Sequence, residues 1–146
     1  KVGKNSLVSS LQSVNGQIRV DENSIIKGNI SAVNGRVTLG NSVQLNGDLS
    51  TINGDIELDK AMIAKNIETV NGDIYLQNGS IVEGNIKIKG KTKWSGDKRK
   101  IDIYLREGSL VKGNIETDDE NISVKIHVSG ESKILGDVIN AEIVYQ

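Results

Sequence analysis

His127 is the only histidine in the chain, and an imidazole is the side chain best suited to general-base work near neutral pH. Its sequence context does not support that role. The chain has no cysteine, so no thiol nucleophile and no thiolate metal site can be built around it. No paired acidic motif stands in register with His127 to complete a metal centre, and no long loop shapes a pocket beside it. The sequence therefore predicts no enzyme, no metal and no cofactor.

The other chemistry-bearing residues are cationic and aromatic. Residues 87–100 hold seven basic side chains and one acidic, a net of +6, against −2 over 1–86 and −5 over 101–146. Lys87, Lys89, Lys91, Lys93, Lys98, Arg99 and Lys100 surround Trp94, the only tryptophan. One reading is a contact patch for an anionic polymer, a glycan, a lipid surface or an acidic protein, anchored by Trp94. The competing reading, which we favour, is a solvated lysine face that keeps an exposed strand from pairing with neighbours. The whole chain carries only −1, so no global field points to nucleic acid.

What must position these residues is a repeat. Glu68 to Ile86 reads ETVNGDIYLQNGSIVEGNI, and near-copies begin at Gln12, Ser31 and Ser50, a spacing of 18 or 19 residues. Within a copy, Val70, Ile74, Leu76, Val82 and Ile86 point one way, and Asn71, Asp73, Tyr75, Glu83 and Asn85 the other. That period of two belongs to strands with one buried face. Apolar columns repeat from copy to copy: Val14, Val33, Ile52 and Val70; Ile18, Val37, Ile56 and Ile74; Val20, Leu39, Leu58 and Leu76. Steps near six suggest three short faces per coil. The predicted fold is all-β, a single-stranded parallel β-helix (β-solenoid) of about 18–19 residues per coil, triangular and right-handed.

Two glycine columns, Gly16–Gly35–Gly54–Gly72 and Gly28–Gly47–Gly84–Gly113–Gly136, mark tight packing or a left-handed corner. Asn15, Asn34, Asn53 and Asn71 should stack their amides as a ladder. The 29-residue interval from Gly84 to Gly113 holds about ten extra residues, in part a lysine-faced strand over 87–94. Ile122, Val124, Ile126 and Val128 should lie over Ile101, Ile103 and Leu105. We take residues 1–146 as one domain, with regular coils over 1–86 and widened coils over 87–146.

In that register an outward column runs Arg19, Thr38, Glu57, Tyr75, Tyr104, His127. Its aromatic end could dock a sugar ring, but cross-strand stacking explains it without a ligand. Ser13, Ala32, Thr51 and Thr69 form too imperfect a row for ice binding, and no nonapeptide of the calcium-binding kind is present. No apolar run approaches the length of a membrane span.

The cadence in VNGDI, VEGNI and VKGNI resembles the bactofilins, polymer-forming bacterial cytoskeletal proteins, and bacterial surface β-solenoids described as adhesins. It covers Gln12 to Ile86 well and Ile101 to Val138 more loosely. The resemblance implies a right-handed β-helix that polymerises end to end without nucleotide, and it carries no catalytic residues. The Val-Asn-Gly triplet is closer to the envelope group, which implies the periplasm or cell surface rather than the cytoplasm. The hexapeptide acyltransferases, which set a His beside a triangular β-helix, are a remoter likeness, because their strict six-residue cadence is missing. The first coil (Val2, Leu7, Val8, Leu11) should leave a bare edge open to a second copy, whereas the charged last coils should act as a stop.

Overall fold

The computed structural model describes residues 1–90, 99–118 and 122–146. They form no helix. The described residues wind through three parallel sheets of seven strands each, one strand per coil in each sheet. Strand Leu7–Val8 opens a short face, Leu11–Asn15 an amide face, and Ile18–Val20 a charged face. Every strand but those at the two ends of each sheet pairs with its equivalent in the coils before and after it. The inward column Val8, Ile26, Leu45, Ile63, Val82 advances by 18 or 19 residues, then by 29 to Val111 and 23 to Ile134. The β-solenoid and its widened later coils are as the repeat predicts.

Such a coil is stable because its few inward side chains form a flat layer that the next layer covers. Val37, Leu39, Leu45, Leu49, Ile56, Leu58, Ile74, Leu76 and Ile86 are fully buried. The aliphatic side chains fill a narrow bore in which aromatic rings would have no room. The long strand Ser123–Val128 lies over Lys100–Leu105 with Val124 on Ile101, Ile126 on Ile103 and Val128 on Leu105, as expected.

One predicted inward column faces out. Val14 and Ile52 are 64% and 44% exposed, and Val33 and Val70 are only half-buried. The interior positions of these strands are instead Ala32, Thr51 and Thr69, 1–2% exposed. The strand Ile67–Asn71 starts inward at Ile67, so parity puts Thr69 inside and Val70 outside. Counting back from Ile74 fails because the corner at Asn71–Asp73 resets the phase. The cost of burying hydroxyls is met internally: Thr51 Oγ1 donates to Thr69 Oγ1 at 2.9 Å.

The corners differ in kind. Along Gly16–Gly72 the coils nearly touch: a Cβ on Gly35, Gly54 or Gly72 would fall about 2 Å from the carbonyl oxygen of the preceding glycine. The column exists because there is no space for a side chain, and its glycines do not take positive φ. At the corner from charged to short face the requirement is reversed. Asn23, Ser42, Lys60, Asn78 and Glu107 all take left-handed φ of 51–62°, one per coil. Gly79 and Gly108, also left-handed, have open space where a Cβ would go.

Both enlargements fall at one place, the corner from amide to charged face. The strand Ile86–Ile88 is followed by Lys100–Leu105, and Ile115–Thr117 by Ser123–Val128. In the first four coils that corner is an Asn-Gly turn, and in the last coil it is Asn140-Ala141. The predicted strand over 87–94 is seen only in its first part, since residues 91–98 lie outside the described ones.

Candidate functional site

The predicted outward column is present in register: Arg19 beside Thr38, Thr38 beside Glu57, then Tyr75, Tyr104 and His127. Tyr75 and Tyr104 stack with centroids 5.0 Å apart and planes 3° from parallel. Tyr104 and His127 stack at 4.5 Å and 11°. Both faces of Tyr104 are therefore covered, and the Arg106 guanidinium sits 4.6 Å from its centroid. A sugar docks on the face of a ring, and this strip offers mainly edges. The geometry suits cross-strand stacking.

Beneath the stack runs an acidic ladder that sequence reasoning missed. Asp55 Oδ1 accepts the Asp73 backbone N–H at 2.8 Å, and Asp73 Oδ1 accepts that of Asp102 at 2.9 Å. Asp102 Oδ1 lies 3.0 Å from His127 Nε2, and Gln146 Nε2 lies 3.2 Å from Nδ1. A neutral ring with its proton on Nε2 satisfies both contacts. His127 thus has the acidic partner that its sequence context hides, because Asp102 is the diagonal neighbour one coil earlier. Burial, ahead of the nearby carboxylates Asp55 and Asp102, pushes the Asp73 carboxyl above its ordinary range. Burial likewise raises the phenols of Tyr75 and Tyr104.

Of the described members of the lysine-rich segment, Lys89 and Arg99 are engaged within the fold. Lys89 Nζ lies 3.0 Å from Glu68 Oε2. Lys87 stands in register between Glu68 and Glu116. Arg99 donates to the carbonyl oxygens of Val70 and Lys89, filling hydrogen-bond positions where the ladder leaves the regular path. Across the same break Asp118 Oδ1 accepts the Gly90 N–H. Lys100 is exposed beside Ser123. Lys91, Lys93, Trp94 and Lys98 lie outside the described residues. Of the described residues, Lys87 and Lys89 lie on the amide face and Arg99 at the following corner, apart from the Tyr75–Tyr104–His127 strip, whereas Lys100 opens the strand Lys100–Leu105 that carries Tyr104 on the charged face.

Two further features were not anticipated. Ser24, Ser80 and Ser109 are fully buried at the left-handed corner, and each hydroxyl donates to a backbone carbonyl. Among the described residues no buried side-chain polar atom lacks a partner, and no group of three or more His, Asp or Glu is arranged to hold a metal. The second feature is a trough of about 540 Å³ along the amide face, spanning the first four coils. Asn29, Asp48 and Asn66 form one wall, and Gln12, Ser31, Ser50 and Glu68 the other. The trough exists because serine occupies a column that carries long side chains elsewhere, and that shortness was its signal in the sequence.

The amide ladder expected on the next corner is seen over three of its four members: Asn34 Nδ2 donates to Asn15 Oδ1 at 3.1 Å and Asn53 Nδ2 to Asn34 Oδ1 at 3.0 Å, and it does not extend to Asn71. Among the described residues no helix is long and apolar enough to cross a membrane. Comparison with protein-family models, with curated proteins and with solved structures gives no match.

Proposed function

We propose that this chain is a non-enzymatic structural module of the bacterial cell envelope that associates with further copies of itself through the ends of its stack. One observation carries the reading. The outermost layers are aliphatic but only partly covered: Val2, Val8 and Leu11 at one end, Ile134, Val138, Ala141 and Ile143 at the other. They stand in the same columns as fully buried residues, Val8 over Ile26 and Ile134 over Val111. The end strands of the short and amide faces also present one unpaired edge each, which a coil from a second copy would pair and cover, while Val2 already bridges Val20 on the first charged-face strand. Contrary to the expected charged stop, the last coil exposes Leu135, Ile139 and Tyr145 at 62%, 41% and 78%. The resemblance of the VNGDI cadence to the bactofilins, and to the envelope solenoids, points the same way.

Sedimentation velocity over a concentration series tests the proposal, with Val8→Lys and Ile143→Lys as separate variants. Val8 is sharper than Leu7, which faces outward at 62% exposure. We expect concentration-dependent association in the parent chain, loss of it in at least one variant with unchanged circular dichroism, and no response to Lys89, Lys91 and Lys93→Glu. A parent chain that stays monomeric at every concentration overturns the reading. Association abolished by the three lysine changes and by added salt would place the contact on the lysine-rich segment and overturn the end-to-end reading.

A further inference from the structure

We propose that the trough on the amide face is a binding site for an uncharged, extended glycan lying along the solenoid axis. The proposal goes beyond self-association and uses none of the end-layer contacts.

The wall built by Asn29, Asp48 and Asn66 repeats once per coil. Each residue spends its Oδ1 on the fold: Asn29 Oδ1 accepts the Asp48 N–H at 2.8 Å, Asp48 Oδ1 the Asn66 N–H at 3.0 Å, and Asn66 Oδ1 the Asn85 N–H at 2.8 Å. These bonds fix the side chains and leave one further terminal atom on each: an Asn29 Nδ2 donor, an Asp48 Oδ2 acceptor and an Asn66 Nδ2 donor. Donor, acceptor and donor therefore follow one another at the coil spacing of about 4.8 Å. Opposite them, Ser31 and Ser50 place hydroxyls that both donate and accept.

A ligand satisfying this pattern needs a polar unit once per coil, each unit able to donate and accept. Charge removes two classes. Among the described residues Asp48 and Glu68 are the charged groups lining the trough, Glu68 being paired with Lys89, so the lining offers a polyanion no cationic side chain. A polyamine has no acceptor for the two asparagine donors. An extended peptide fits poorly along the axis, since its two-residue repeat of about 6.8 Å drifts out of step with the coils. A chain of equatorially linked pyranoses advances close to one coil per sugar and carries hydroxyls on both edges. Among the described residues no aromatic ring lines the trough, so binding rests on hydrogen bonds and is weak.

The test uses cellohexaose and chitohexaose as probes, titrated into the labelled chain and followed by backbone amide shifts. Saturable shifts confined to the trough residues are expected for at least one probe. Ser50→Tyr, which fills the trough, should abolish them, whereas Thr38→Tyr on the charged face should not. The double variant Asn29→Asp, Asn66→Asp keeps both Oδ1 acceptors while replacing the donors by carboxylate oxygens, and should weaken binding at least tenfold. Shifts absent for both hexasaccharides, or unaltered by Ser50→Tyr, overturn the proposal. So do shifts at the trough with pentalysine but not with the sugars. Sedimentation of Ser50→Tyr should match the parent chain, which keeps this result separate from that on self-association.

Discussion

Glycine serves two opposite purposes at the corners of this solenoid. At the Gly35–Gly54–Gly72 corner the conformation is ordinary and the space is absent. At the Gly79 and Gly108 corner the space is open and the conformation is left-handed. The first corner is a contact between coils, so a substitution there pushes neighbouring layers apart. The second is a bend within one coil, so a substitution there strains only itself. This explains why the first column holds glycine throughout the regular coils, while the second passes through Asn23, Ser42 and Lys60 without being lost.

The largest effect should come from Gly54→Ala, whose Cβ would lie 2.0 Å from the Gly35 carbonyl oxygen. We expect a loss of about 3 kcal/mol in urea unfolding, at the upper end for overpacking because both partners are backbone. A loss below about 1 kcal/mol would show that coil spacing yields easily at this corner. Gly79→Ala meets no atom within 4 Å and should cost only about 1 kcal/mol, from the left-handed φ of 75°. Lys60→Gly should act in the opposite direction, since φ of 51° suits glycine better than lysine, with a gain of a few tenths of a kcal/mol up to about 1. Equal losses for Gly54→Ala and Gly79→Ala would remove the distinction between the corners.

The smallest effect concerns the acidic ladder beside the contact corner. The Asp73 carboxyl is raised by burial, so the folded state holds its proton more tightly than the unfolded chain does. Stability from this group is fully present below the ordinary carboxylate range and is lost as pH rises through the raised value. Asp73→Asn keeps the Oδ1 acceptor for the Asp102 N–H and removes the charge. It should be slightly more stable than the parent at pH 7, by less than about 1 kcal/mol, with the difference vanishing in acid. Thermal melts at both pH values check this, and an advantage that grows in acid contradicts it.

Periodicity made the fold readable because each layer repeats the demands of the one before. Ile18, Val37, Ile56 and Ile74 occupy one place in four coils, and the column Tyr75–Tyr104–His127 could be aligned across a 29-residue coil from the same rule. The rule failed where parity is reset, at the Asn-Gly corner, and put Val70 inside in place of Thr69. It also could not show diagonal contacts, which is why Asp102 beside His127 and Arg99 beneath Val70 were hidden. The trough was legible in principle, since Ser31 and Ser50 are short where Glu68 and Lys87 are long. Recognising it required knowing that their column faces outward beside Asn29, Asp48 and Asn66.

Because each coil is held only by the coils above and below, the molecule has a definite response to being pulled from its two termini. Load would reach the outermost coil first and peel its three short ladders together, leaving the next coil as the new end. A regular coil of 18 or 19 residues would release about 60 Å of chain, at roughly 3.3 Å per residue. The 29-residue coil would release about 95 Å on the same basis. A force trace of this chain should therefore read as a ruler with two adjacent long divisions, the second of about 75 Å from the 23-residue coil, and their position would report from which end the structure gives way.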